Sequence, residues 1–264
     1  MLTYMEEQNI LVGCGKEVDL EKHCYLLSPD KPAEWQVMPG WASNDLCLDH
    51  FSTRGNYYTE MGWLVMGQEE LAHGLCGYGY GFNIATALLT TQAQWIEPPI
   101  TSPYSDGFPA DFCSVAINSS AVIVTGGADG GPRLSSTWLL DLTDYTWLRL
   151  QDMPGPRCAH GCTITSTGEL MIAGGNDGSS FLSSVYTYNL MSNTWTQAAD
   201  LPSGMNDPVM FLWNNTPIFL EPSSSNIWRL ENNEWVQMSS DLGATFDADE
   251  DSATLLPSGL FKCG

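Results

Sequence analysis

A repeat with a fixed offset of 48 residues constrains this 264-residue chain more than any other feature of its sequence. Residues 122–127 and 170–175 are both short apolar runs that end in a pair of glycines, and the same offset places Trp147 on Trp195. Self-similarity at one long period indicates structural units that cannot bury their apolar faces alone and must stack on their neighbours. The chain is therefore predicted to be a repeat protein.

Each repeat is predicted to contain four short strands. The first two strands are apolar, and the second ends in Gly126-Gly127 or in Gly174-Gly175. A Gly-rich polar loop, a third strand and a fourth strand with a tryptophan follow. A continuous apolar run bounded by turn residues is typical of a strand that is covered on both faces. Because glycine tolerates positive φ and has no Cβ, the diglycines are predicted to let another backbone approach closely.

Weaker copies of this pattern extend in both directions. The predicted fourth strands carry tryptophans at positions 35, 95, 147, 195 and 235, and Tyr188 and Trp228 each precede one of them by seven residues. These features resemble the kelch repeat, most clearly at residues 113–202. The resemblance implies an all-β fold, a kelch-type β-propeller of four-stranded antiparallel blades around a central channel. The tryptophans are predicted to lie buried between blades.

Five blades are visible in the sequence, with part of a further blade at the C-terminus. We expect one domain over residues 1–264, with approximate blades at 8–40, 41–99, 109–155, 158–203, 206–241 and, in part, 247–264. Either the C-terminal strand completes the N-terminal blade of a five-bladed ring, or the intact protein has six blades. The second and fifth units have residues 66–68 and 217–222 where a diglycine is expected, so their loops are predicted to differ.

The charge of the chain bears on its partners. Its formal net charge is −22 at pH 7, which repels phosphate backbones and argues against nucleic-acid binding. The same charge favours a basic protein partner through long-range attraction. Since no apolar stretch reaches the roughly 18 residues that a spanning helix needs, no membrane insertion is expected.

Cysteines and glycosylation sequons bear on the cellular compartment. Eight cysteines are compatible with a disulfide framework, although eight cysteines allow 105 pairings. Sequons begin at Asn118 and Asn214, and Pro217 weakens the second. The first residues show no secretory leader. An extracellular or secreted location is favoured if the true N-terminus is missing, and a cytoplasmic one otherwise.

The sequence shows no catalytic constellation. Kelch-like propellers include copper oxidases of the galactose oxidase type, whose site needs two histidines and two tyrosines, and sialic acid epimerases. The histidines of this chain lie in segments assigned to different blades or loops: His23, His50, His73 and His160. No enzyme activity, cofactor or metal site is therefore expected.

Two segments are candidate metal sites. Cys158, His160 and Cys162 would share one face of a strand, but zinc usually takes a fourth ligand. Residues 156–160 also resemble the Pro-Arg-x-x-His start of a kelch first strand, so a structural role is predicted. The carboxylates of residues 247–251 fail the EF-hand pattern because its twelfth position is Ser258, and a solvated connection is predicted there.

Long loops are the expected binding elements, because the strands are committed to the scaffold. Two aromatic loops, at residues 67–83 and 98–111, are candidate interfaces, and their contact residues are Tyr78, Tyr80, Phe82, Tyr104 and Phe108. The alternative for both loops is structural cover over a blade edge. The predicted function is a non-catalytic propeller that binds a protein through its rim loops. The alternatives are a galactose-oxidase-like or sialic-acid-epimerase-like enzyme with a site at the channel mouth, and a cytosolic adaptor propeller that recruits substrates.

Overall fold

The computed structural model describes residues 100–104, 109–118, 120–128, 131–224 and 226–238 with their side chains, and elsewhere the backbone of strands. No helix occurs among the described residues. None of these residues therefore forms a helix that is long and apolar enough to cross a membrane. The strands are β1 Leu2–Met5, β2 Ile10–Lys16, β3 Lys22–Leu27, β4 Gln36–Val37, β5 Thr53–Thr59, β6 Gly62–Gln68, β7 Asn83–Leu89, β8 Gln94–Ile96, β9 Cys113–Asn118, β10 Ala121–Thr125, β11 Thr137–Asp141, β12 Thr146–Arg149, β13 Gly161–Ile164, β14 Leu170–Ala173, β15 Val185–Asn189, β16 Thr194–Gln197, β17 Val209–Trp213, β18 Thr216–Leu220, β19 Ile227–Glu231, β20 Glu234–Met238, β21 Ser252–Leu256 and β22 Gly259–Cys263.

The described strands form five four-stranded antiparallel sheets and one two-stranded sheet. Each four-stranded sheet joins four consecutive strands in chain order, starting at β1, β5, β9, β13 and β17, and β21 pairs with β22. This confirms the all-β, four-strand unit that the repeat predicts. The first sheet begins with β1, upstream of the start at residue 8 that the sequence suggested, because Leu2–Met5 pairs with β2.

The first strands of the sheets lie side by side, as they do around the channel of a propeller. Strand β9 contacts β5 and β13, and β17 contacts β13 and β21. Strand β1 contacts both β5 and β21. Each of these first strands therefore lies between the first strands of two other sheets. The second, third and fourth strands of each four-stranded sheet follow outward in that order.

The described tryptophans of the fourth strands lie at the contacts between sheets, but they are less deeply buried there than predicted. Trp195 packs on a buried cluster that combines Ile123 of the preceding sheet with Leu170 and Tyr188 of its own. All three described examples, Trp147, Trp195 and Trp235, are half-buried. Their indole N–H groups donate to backbone oxygens that precede their own sheets: Thr101 O at 2.7 Å, Gln151 O at 3.0 Å and Ala199 O at 3.0 Å. The tryptophan thus joins neighbouring sheets by packing and by a hydrogen bond.

The fifth unit keeps the tryptophan but changes its pairing. Tyr188 lies opposite Trp195 in the fourth unit, whereas Leu230 lies opposite Trp235 in the fifth. The turn at Asn232–Asn233, where both residues have positive φ, has only two residues, so the seven-residue spacing from Trp228 no longer makes a cross-strand pair.

The diglycines allow close backbone approach, as predicted. Gly126 and Gly175 have φ values of 62° and 87°. A Cβ on Gly126 would lie 2.3 Å from the Arg157 carbonyl oxygen, and one on Gly175 would lie 2.5 Å from the Cys158 carbonyl oxygen. Any residue larger than glycine at either position would therefore push away the connection between the third and fourth sheets, which contains Arg157 and Cys158.

A disulfide bond joins the first strands of two neighbouring sheets. Cys113 in β9 and Cys162 in β13 are bonded, with their Cα atoms 6.2 Å apart. The bond crosses between the third and fourth repeats near the centre of the molecule, where β9 and β13 lie side by side. It closes a covalent loop of one complete repeat.

Candidate binding rim

The alternation of antiparallel strands sorts the connections of the described repeats onto two rims. We call one the loop rim. It carries the described residues of the loops between second and third strands, 126–128, 131–136, 174–184, 221–224 and 226, and of the connections between sheets, 150–160 and 198–208. The other, the turn rim, carries the short turns between first and second strands and between third and fourth strands. The loop rim has the longer segments and therefore the greater freedom to form a site.

A buried arginine links two segments of the loop rim. Arg157 is 2% exposed, and its guanidinium donates to Gly174 O at 3.0 Å, to Ser184 O at 3.2 Å and to Ser184 Oγ at 3.1 Å. It also lies over the ring of Tyr186, 5.3 Å from the centroid. Burial lowers the pKa of Arg157 from its usual range. The positive charge of Arg157 is thus used to tie the third-to-fourth connection to the loop of the fourth sheet.

His160 packs against both diglycines, at Gly126 and at Gly175. It is buried, its Nε2 lies 2.8 Å from Thr125 Oγ1, and its Cβ would be 2.8 Å from a Cβ on Gly175. The sulfur of Cys162 is bonded to Cys113, so it has no thiolate to offer a metal beside His160. Among the described residues, no three His, Cys, Asp or Glu side chains gather closely enough to hold a metal ion. His160 and Cys162 thus both contact the third repeat, through Thr125 and through Cys113.

The fourth sheet presents an exposed aromatic side chain on the loop rim. Phe181 is 61% exposed and follows a turn in which Asp177 Oδ1 accepts hydrogen bonds from Ser179 N at 2.7 Å and Ser180 N at 2.8 Å. These backbone donors hold the pKa of Asp177 below its usual range. The backbone of Phe181 is packed against Gly204, where a Cβ would come within 2.3 Å of the Phe181 carbonyl oxygen. The loop is thus fixed on both sides while the ring faces solvent.

Tyr104, a predicted interface residue, serves as cover in the structure. Its hydroxyl accepts a hydrogen bond from Ser136 Oγ at 3.2 Å, and its ring meets Trp138 edge-on with centroids 6.1 Å apart. Burial raises the pKa of Tyr104 to about 12. Arg149 lies over the same Trp138 ring, 4.8 Å from the centroid. For Tyr104, this arrangement corresponds to the alternative of structural cover over a blade edge.

The other predicted contact residues, Tyr78, Tyr80, Phe82 and Phe108, lie outside the described residues, as do the carboxylates at 247–251. Phe181, by contrast, was missed by the sequence analysis. Its loop, Asn176 to Ser180, consists of turn-forming residues, and such residues by themselves indicate only a connection between strands. An aromatic residue at the end of such a polar loop is the signal that could have identified it.

The turn rim differs in shape. Its turns are short and polar, as at Asn214–Asn215, where both residues have positive φ and join β17 to β18. Met191, in the turn before β16, is 99% exposed. The turn rim therefore offers separate small projections.

Comparisons with known proteins agree with this architecture. A sequence profile described as the KLHDC2/KLHL20/DRC7 Kelch-repeats domain matches residues 75–218, which is more than half of the chain. A sequence search of curated proteins finds no significant match. Among solved structures, the chain is similar to one titled "Structure of YjhT", with a TM-score of 0.64 and 13% sequence identity, over 90% of this chain and 83% of that chain. That likeness shows a shared fold. By its repeats, its sheets and its profile match, the chain belongs to the kelch-repeat family of the KLHDC2/KLHL20/DRC7 domain.

Proposed function

We propose that this chain is a non-catalytic kelch propeller that binds a protein partner through its loop rim. The observation that carries the proposal is Phe181, an aromatic ring that is 61% exposed on a loop whose backbone is held in place. Aromatic side chains are enriched at protein interfaces and account for much of their binding energy. The kelch family assignment supports the same function, since a propeller of this family commonly mediates protein interaction.

The rigidity of the Phe181 loop favours binding. Besides the Asp177 turn, Leu182 N donates to Gly175 O at 2.8 Å and Met205 N donates to Leu182 O at 3.1 Å. A loop that is ordered before binding loses little conformational entropy when the partner arrives. Phe181 can therefore act as an anchor at low entropic cost.

The partner that fits is a protein with an apolar pocket and basic residues around it. Asp177 lies four residues from Phe181, and its carboxylate is charged at neutral pH, as an aspartate ordinarily is. The chain as a whole has a formal net charge of −22. The electrostatic field of this negative charge speeds the approach of a positively charged surface and repels acidic surfaces.

Two buried polar side chains of the loop rim are engaged within the scaffold. His160, the one histidine among the described residues, is buried, and its Nε2 lies within hydrogen-bond distance of Thr125 Oγ1. The cation of Arg157 is engaged by backbone carbonyl oxygens. Both groups support the scaffold of the loop rim.

Photo-crosslinking from the two rims tests the proposal. Benzoylphenylalanine replaces Phe181 in one variant and Met191 in a matched control, since Met191 is 99% exposed on the turn rim. Each variant is irradiated in an extract of the organism that makes the protein. We expect discrete adducts of one protein from position 181 and none of that protein from position 191.

Competition completes the design. Excess unlabelled native chain should suppress the adduct at position 181, and excess Phe181→Asp chain should suppress it much less. Equal adducts from both positions, or suppression by Phe181→Asp as strong as by the native chain, would contradict binding through the loop rim.

A further inference from the structure

Two sequons lie on the turn rim, each in the turn between the first and second strands of a sheet. Asn118 ends β9 in the sequence Asn118-Ser119-Ser120, and Asn214 follows β17 in Asn214-Asn215-Thr216. Both asparagines are exposed. Exposure is the first requirement for attaching a bulky, hydrophilic glycan to a side chain.

The two sequons differ in the acceptor to which the hydroxyl group of their serine or threonine donates a hydrogen bond. At the first, Asn118 Oδ1 accepts bonds from Ser120 N at 2.8 Å and from Ser120 Oγ at 3.1 Å. At the second, Thr216 Oγ1 donates to the backbone oxygen of Asn214 at 3.5 Å. Only at Asn118 does the hydroxyl bond to the amide that would react.

The bond at Asn118 favours the reaction chemically. A hydrogen bond to the amide oxygen draws electron density from Nδ2 and makes its proton easier to lose. Because donor and acceptor are two residues apart, the turn can form in a chain that has not yet folded. The folded chain has this acceptor geometry, and an unfolded chain can form it locally as well.

The disulfide bond supplies an independent observation on the compartment. Cys113 and Cys162 are bonded across the first strands of two sheets. Such bonds persist in oxidising compartments and on secreted proteins. N-linked glycans are added to proteins of that same secretory route.

From these observations we propose that Asn118 is a site of N-linked glycosylation, with a lipid-pyrophosphate-linked oligosaccharide as the donor. A bond forms between Asn118 Nδ2 and the anomeric carbon of the sugar, while the bond from that carbon to the pyrophosphate oxygen breaks. The lipid pyrophosphate leaves with the electron pair, and the amide nitrogen loses one proton. The glycan stands on the turn rim, away from the loop rim.

The test uses the full chain behind an added secretory leader, translated in the presence of microsomes. We expect translocated chains to shift by the mass of one glycan and to return to the unmodified mass after treatment with peptide N-glycosidase. When that treatment is done in heavy-oxygen water, peptide mass spectrometry should find the label in an aspartate at position 118.

Variants locate the modification. Asn118→Gln and Ser120→Ala should abolish the shift, Ser120→Thr should retain it, and Asn214→Gln should leave it unchanged. A shift that persists in Asn118→Gln, or translocated native chains without a glycan at position 118, would overturn the proposal. Translocation is scored by protection from added protease, so chains that fail to fold still give a decisive result. The outcome does not depend on whether the loop rim binds a protein.

Discussion

Gly175→Ala and Gly168→Ala form a matched pair that separates steric overlap from backbone conformation. Both glycines have positive φ, 87° and 77°, so alanine at either position enters the left-handed region, at a cost of about 1–2 kcal/mol. Their surroundings differ. A Cβ on Gly175 would lie 2.5 Å from the Cys158 carbonyl oxygen, while a Cβ on Gly168 meets no atom within 4 Å.

A Cβ on Gly175 would also lie 2.8 Å from the Cβ of His160, so relieving the overlap requires the backbone of the connection at Cys158 and His160 to move. That backbone is held by two hydrogen bonds, from Cys158 N to Asn176 O at 3.0 Å and from Asn176 N to Cys158 O at 2.9 Å. Leaving one such buried group unsatisfied costs about 1–3 kcal/mol. The free energy of unfolding should therefore fall by about 2–5 kcal/mol for Gly175→Ala and by about 1–2 kcal/mol for Gly168→Ala.

Thermal unfolding followed by circular dichroism measures the difference. In a domain of this size, 1 kcal/mol shifts the midpoint by about 2–4 °C, so a difference of about 1–3 kcal/mol should put the midpoint of Gly175→Ala roughly 2–12 °C below that of Gly168→Ala. Tryptophan fluorescence should report the same midpoint, since the fourth-strand tryptophans lie between sheets. Equal midpoints for the two variants would refute the close approach of the connection to the diglycine.

Three further predictions concern single contacts. Replacing Cys113 and Cys162 with alanine should lower the free energy of unfolding by about 4 kcal/mol, because their sequence separation is 49 residues, and an unchanged urea midpoint would contradict this. Trp195→Phe keeps an aromatic ring but removes the donor to Gln151 O, so a loss of about 1 kcal/mol is expected in urea unfolding, and no loss would show that the bond is not needed. The pKa of Tyr104 is raised to about 12, so the folded chain holds this proton more tightly than the unfolded chain, and the resulting stability is complete below about pH 10 and is lost as the pH rises toward 12. Tyr104→Phe should therefore make the alkaline loss of stability shallower, and an identical pH profile would show that Tyr104 does not contribute to it.

The described strands could largely be predicted from the sequence. Residues 122–124 and 170–173 are fully apolar, which is typical of strands covered on both faces, and they lie in the buried strands β10 and β14. The diglycines after them signalled a close backbone contact, which the structure places at the Arg157 and Cys158 carbonyls. Local pattern sufficed here because a strand between two sheets accepts few other residue types.

The candidate site could be predicted less well. Tyr104 and Phe181 are both aromatic residues in polar or proline-rich segments, yet the ring of Tyr104 meets Trp138 while Phe181 faces solvent. No local pattern separates these outcomes. Each depends on which segment, distant in sequence, packs against the loop, and for Phe181 that segment includes Gly204.

The sequence by itself determined the repeating unit, its four strands and the position of its tryptophans, because apolar periodicity and glycine pairs act over a few residues. Only the tertiary structure decided that Cys113 bonds to Cys162 out of the many possible pairings, since a disulfide needs two Cβ atoms brought together across sheets. The same holds for the loop rim. Its shape results from connections of neighbouring repeats packing on one another, and such contacts between distant segments are not encoded in any single stretch of chain.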